Sequence, residues 1–123
     1  MDDEEDIIYV LKRGLELQGF KIDAFTNPLQ AAQQFHPSYY DAVITDIRMP
    51  QISGFDLYKK IREKDVAIRV YFMSAFDAYE DEIKEKFTDN DLVTFIKKPT
   101  TYATLSKILK KDLEKKRLTS FLF

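Results

Sequence analysis

The 123-residue chain contains no cysteine, which excludes a disulfide scaffold and any thiolate metal site. Its single histidine, His36, excludes a multi-histidine metal centre, and beside Pro37 it reads as an ordinary turn residue. Tryptophan is absent, while ten Phe and seven Tyr supply the aromatic content. Neither sign of charge dominates: the formal net charge is −2, so no broad electrostatic footprint for nucleic acid is present. No apolar run approaches the length of a membrane span. The opening Met1-Asp2-Asp3-Glu4-Glu5-Asp6 lacks the basic stretch and apolar run of a signal peptide. There is no internal repeat, linker or low-complexity segment. The expectation is a soluble, cytoplasmic domain large enough to fold around its own core.

What is present is alternation. The acidic run Asp2 to Asp6 suits a helix N-terminus, and Ile7, Ile8, Leu11 and Leu15 continue at helical spacing to a cap near Gly19. Phe20 to Phe25 alternates like a short strand. Thr26-Asn27-Pro28 is a turn, with Asn27 as N-cap and Pro28 at the first helical position of a helix over Leu29 to Phe35. Asp41 reads as a turn residue. Ala42 to Thr45 is apolar and β-branched, as a buried parallel strand is. Phe55, Tyr58 and Ile61 mark a helix to about Lys64, and Ala67 to Met73 is strand-like. Tyr79, Ile83 and Phe87 place a helix over Asp77 to about Thr88, followed by a turn at Asp89-Asn90-Asp91. Leu92 to Ile96 is a strand, and Tyr102, Leu105, Leu109 and Leu113 a helix to about Arg117. Helix and strand in strict alternation predict an α/β fold, a parallel sheet joined by right-handed crossovers.

The central stretch is Thr45-Asp46-Ile47-Arg48-Met49-Pro50-Gln51-Ile52-Ser53-Gly54. Asp46 closes an apolar strand, so it lies at the carboxyl edge of the sheet, where ligands collect in such folds. The other strand ends carry polar residues too: Ser74, Lys98 and, from a strand ahead of the first helix, Asp2 and Asp3. In a parallel sheet these ends share one edge. Three carboxylates there need a counter-charge. Lys98 supplies one, and oxygen ligands without His or Cys select a hard divalent ion such as Mg2+. Such a site suits a phosphoryl group, with the Asp46 carboxylate as nucleophile and Ser74 and Lys98 holding the phosphoryl oxygens.

With Asp46-Ile47-Arg48-Met49-Pro50, Gly54, the acidic pair, Ser74-Ala75 and Lys98-Pro99, residues 2 to about 117 resemble the receiver domain of two-component response regulators. The resemblance implies a flavodoxin-like, doubly wound parallel sheet of strand order 2-1-3-4-5. It implies phosphorylation of Asp46 by a histidine kinase or histidine phosphotransfer protein, and Mg2+ held by Asp2, Asp3, Asp46 and the backbone carbonyl of Arg48. It also implies a cis Lys98-Pro99 bond, a switch formed by Ser74 and Phe95, and protein–protein output through the 77–113 face. On this reading the chain is a signalling phosphoacceptor rather than an enzyme, with at most self-phosphorylation and self-dephosphorylation chemistry. Arg48 and Phe76, two residues beyond Asp46 and Ser74, would shield the acyl phosphate from water.

One departure stands out. A receiver opens with about five apolar residues before its acidic pair, a strand's length, and here only Met1 precedes Asp2. An empty central slot would leave two strand edges unpaired. The apolar tail Leu118–Phe123 is long enough to fill it with the correct crossover hand, within one chain or by exchange in a dimer. The expected division is a receiver domain over 1–117 and an apolar tail over 118–123; a substitute strand is one reading of the tail, beside a disordered tail, a dimer contact and a chain begun at the wrong start codon. Two other functions are open. A haloacid-dehalogenase-type phosphatase would want a second Asp where Arg48 stands. A degenerate receiver would bind partners without phosphorylation.

Overall fold

The structure, a computed structural model, describes residues 5–49, 51–88, 91–112 and 120–122. Its elements alternate: α1 (Glu5–Leu17), β1 (Lys21–Asp23), α2 (Pro28–Gln34), β2 (Ala42–Asp46), α3 (Gly54–Lys64), β3 (Arg69–Ser74), α4 (Asp77–Lys86), β4 (Val93–Lys97), α5 (Tyr102–Asp112) and β5 (Ser120–Leu122). Among the described residues no helix is long and apolar enough to cross a membrane.

Local chemistry sets the boundaries. α1 stops at Gly19, whose φ of 97° favours a residue without Cβ. The Gly19 amide donates to the Glu16 carbonyl and the Phe20 amide to the Leu15 carbonyl, the paired bonds of a glycine-terminated helix. That bond takes Phe20 out of the strand expected over Phe20 to Phe25, and β1 is confined to Lys21–Asp23. Asn27 caps α2 as expected, its side-chain oxygen accepting from the Leu29 and Gln30 amides. Ser53 and Asp56 form a reciprocal capping box at α3.

Further on, the strand expected from Ala67 begins only at Arg69. Ala67 donates its amide to Asp65, and Arg62 takes the Ile68 carbonyl. The strand expected from Leu92 begins at Val93 because Leu92 has a φ of 55°. α4 ends at Lys86, two residues before the expected Thr88, whose amide donates to the Asp91 carboxylate instead. The end of the last helix, expected near Arg117, and the turn residues Asp89 and Asn90 lie outside the described residues.

The sheet is parallel, in the order β1-β5-β2-β3-β4. The slot between β1 and β2 is therefore filled by β5, from beyond α5. Lys21, Ile22 and Asp23 pair with Ser120, Phe121 and Leu122, while Ala42 and Val43 pair with Phe121 and Leu122 on the other side. Of the expected segment, Leu118, Thr119 and Phe123 lie outside the described residues. With β5 in that slot the order is the 2-1-3-4-5 of a doubly wound fold.

Every residue of β2 is buried, as a strand covered on both faces requires. On one face Val43, Val70 and Phe72 pack with Ala31, Phe35, Leu57, Ile61 and Ile83 of the helical layer. On the other, Ala42, Ile44, Tyr71 and Met73 pack with Leu11 and Leu15 of α1 and Leu105 and Leu109 of α5. α1 and α5 come very close: the Tyr102 ring occupies the space a Cβ on Gly14 would need. Tyr71, fully buried on β3, donates its hydroxyl to Asp112 at the end of α5 at 2.8 Å. Tyr40 donates to Asp23 at 2.7 Å. Burial first, and the carboxylate partner second, push both phenols well above the ordinary tyrosine range.

Candidate functional site

Three strands deliver the site. β2 ends on Asp46, β3 on Ser74, and Lys98 follows the end of β4. Ser74 stands opposite Lys97 in the ladder, and the Lys98 amide donates to the Ser74 carbonyl at 2.9 Å. The side chain of Lys98 then reaches across β3 to Asp46. The Lys98-Pro99 peptide is cis, as the resemblance implied.

Asp46 is buried, with its side chain 11% exposed and held at both oxygens. Oδ1 accepts from the Ile47 amide at 2.9 Å. Oδ2 is 2.8 Å from Lys98 Nζ. A buried carboxylate is costly without such partners, and here the lysine and one amide provide them. Ser74 is 2% exposed, and its Oγ accepts from the Phe76 amide at 3.1 Å. Phe76 is the N-cap of α4 and contributes no side-chain cap of its own.

The loop after Asp46 folds tightly back. The Gly54 amide donates to the Ile47 carbonyl at 2.8 Å, and a Cβ on Gly54 would collide with the Asp46 carbonyl oxygen. Glycine is required there by close backbone approach. Gln51 in the same loop has a φ of 72°. The exposed Arg48 places its guanidinium carbon 4.9 Å from the centroid of the Phe76 ring, within cation–π range. The two side chains beside the acceptor thus meet each other. Phe95, opposite Phe72 in the ladder, is half-buried against the α3–α4 face of the core.

Asp46, Ser74 and Lys98 are thus brought to one edge, with Arg48 and Phe76 beside them. Asp2 and Asp3 lie outside the described residues, as does Pro50. Among the described residues no group of three His, Cys, Asp or Glu side chains could hold a metal ion. The sequence reading passed over Thr45. It is fully buried, and its hydroxyl donates to the Asp46 carbonyl at 2.9 Å. The available signal was a hydroxyl ending an otherwise aliphatic strand.

The fold is a parallel α/β sheet with a carboxylate–lysine pair and a serine at its carboxyl edge. The family profile described as "Response regulator receiver domain" matches residues 1–110. The chain belongs to that family. It is 29% identical over 122 residues to the transcriptional regulatory protein PrrA of Mycobacterium tuberculosis, an alignment covering 98% of this chain and 51% of PrrA. It is 35% identical over 74 residues to the sensor protein EvgS of Escherichia coli O157:H7, covering 60% of this chain and 6% of EvgS. The chain therefore spans from a small fraction to about half of these curated relatives. The crystal structure of response regulator protein TrrA from Thermotoga maritima, in complex with Mg(2+)-BeF, superposes with a TM-score of 0.73. It is 29% identical, and the match covers 89% of this chain and 92% of TrrA.

Proposed function

We propose that this receiver domain takes a phosphoryl group on Asp46 from a histidine kinase or histidine phosphotransfer protein and thereby switches a protein-binding surface. The observation that carries the reading is the Asp46 carboxylate, buried at the sheet edge and paired at 2.8 Å with Lys98. An Asp46 oxygen attacks phosphorus, the bond from phosphorus to the donor nitrogen breaks, and its electron pair stays with the departing imidazole. The product on this chain is an acyl phosphate. Lys98 and the Ser74 hydroxyl take phosphoryl oxygens as charge spreads over them.

Mg2+ would be held by Asp2, Asp3, Asp46 and the Arg48 carbonyl. The described part of that set is an all-oxygen donor group, which suits a hard cation. When bound, the ion offsets charge on the carboxylates and the phosphoryl oxygens. The Mg(2+)-BeF complex of TrrA supports this reading by likeness. Ser74 and Phe95 form the switch, a two-state element biased by one local contact, and the 77–113 face carries the change to a protein partner. The domain is read as a cytoplasmic phosphoacceptor rather than a turnover enzyme.

Intact-mass spectrometry after incubation with Mg2+ and acetyl phosphate tests the proposal. One added phosphoryl group, absent in Asp46→Asn and without Mg2+, is the expected result. No adduct under conditions that label an ordinary receiver would overturn it in favour of a phosphorylation-independent interaction module.

A further inference from the structure

We propose that Thr45 is a positioning residue that fixes the peptide unit between Asp46 and Ile47, and with it the acceptor carboxylate. The inference deepens the phosphoacceptor reading and rests on it for the chemical step.

β2 reads Ala42-Val43-Ile44-Thr45-Asp46, and valine at position 45 would satisfy both the β-branching and the burial of that strand. Threonine instead carries a hydroxyl into a position with no solvent exposure, a cost unless the hydroxyl is bonded. The bond it makes is local, to the Asp46 carbonyl at 2.9 Å, with the Met49 sulfur 3.9 Å away on the loop side. The same peptide unit is held at its other end, where the Ile47 amide donates to Asp46 Oδ1 at 2.9 Å and to the Met73 carbonyl of β3 at 3.2 Å. Thr45 holds the carbonyl pole of that peptide plane, and the Asp46 carboxylate shares the amide pole with β3. Gly54 leaves the room that the carbonyl pole needs, and its amide holds the next carbonyl, that of Ile47.

Rotation of that plane would carry Oδ1 with it and redirect the chain into Arg48 and Met49. A fixed plane keeps Oδ1 on the Ile47 amide and Oδ2 towards Lys98. Pre-orienting the attacking group in this way raises its reactivity. The Thr45 hydroxyl never touches the phosphoryl group; it acts through the backbone.

Thr45→Val removes the hydroxyl at nearly constant shape, and Thr45→Ser restores it. The readouts are amide hydrogen exchange at Ile47 and Gly54, and the initial rate of Asp46 labelling by acetyl phosphate. The expected result in Thr45→Val is a rise of about three- to tenfold in exchange at both amides and a similar fall in labelling rate. Exchange in β3 should be unchanged, and Thr45→Ser should recover both readouts. Unchanged exchange at Ile47 and Gly54 would overturn the inference. So would a uniform rise across the sheet, or a wild-type labelling rate beside faster amides. Failure to label the wild-type chain would overturn the phosphoacceptor reading, while the exchange data would still decide the role of Thr45.

Discussion

Lys98 Nζ and Asp46 Oδ2 are 2.8 Å apart, although the two residues come from strands separated by β3. Both side chains are largely buried, at 16% and 11% exposure. Removing one partner of such a pair leaves the other charge desolvated. Lys98→Met should therefore lower stability by about 1–3 kcal/mol in urea denaturation at pH 7. Adding Asp46→Asn should recover part of the loss, because the two residues are coupled. Strictly additive effects would mean the pair is not formed in solution.

Arg48 and Phe76, two residues beyond Asp46 and Ser74, meet at 4.9 Å between guanidinium carbon and ring centroid. Arg48→Ala and Phe76→Ala should each shorten the lifetime of the phosphorylated domain about two- to fivefold, the scale of a partly exposed cation–π contact. Decay of the phosphorylated mass after the donor is removed gives the number. Lifetimes equal to wild type in both variants would dissociate this ring contact from water exclusion.

β5 pairs with β1 on one side and β2 on the other, so the Phe121 amide faces a neighbouring strand whichever way it points. Phe121→Pro deletes that donor in the interior of the sheet. The thermal midpoint should fall by several degrees, as a loss of about 1–2 kcal/mol implies for a chain of this size. Exchange at the Ile22 and Val43 amides should rise more than exchange in β3 and β4. A melt identical to wild type would argue against this strand placement.

Gly14→Ala puts a methyl group where the Tyr102 ring lies. A destabilisation of about 1–3 kcal/mol is expected from overpacking. Tyr102→Ala in the same chain should relieve most of it, which a double-mutant cycle by chemical denaturation would measure.

Tyr40 and Tyr71 are held protonated by burial and by their bonds to Asp23 and Asp112. Their folded pKa values lie above the unfolded value near 10. The stability they contribute is therefore complete below about pH 10 and is lost as pH rises from there through the folded values. In that window the unfolded chain binds fewer protons than the folded one. Unfolding midpoints in urea should fall steeply above about pH 10, and Tyr71→Phe should flatten that fall. A slope unchanged by Tyr71→Phe would remove this tyrosine from the linkage.

Much of this was legible because it is local or topological. Asn27 before Pro28 announces its own helix start, and Asp46 at the end of an aliphatic strand announces the sheet edge. The hand of the crossovers allowed the place of β5, and the sheet order chose it from the other readings of the tail. Less legible were features in which one group competes for another's backbone. Phe20 looks like strand, yet its amide belongs to the end of α1. Ala67 and Ile68 look like strand, yet Asp65 and Arg62 take their backbone groups. Tyr71 and Asp112 are 41 residues apart with no pattern to link them. Thr45 escaped because a hydroxyl bonded to the next residue leaves the hydrophobic pattern of a strand almost undisturbed.

β5, which lies between β1 and β2, is the last of the five strands in chain order. Until residues 120–122 leave the ribosome, β1 and the β2–β3–β4 ladder have no backbone partner between them. The nascent chain can zip β2 to β3 and β3 to β4 as each βαβ unit emerges, but β1 must wait, its edge open, until β5 follows. Closure then depends on contacts between residues far apart in sequence, the class that forms slowest. An unclosed slot between two parallel edges is a place where other strands can add, so β5 also protects the edges of β1 and β2 that it joins.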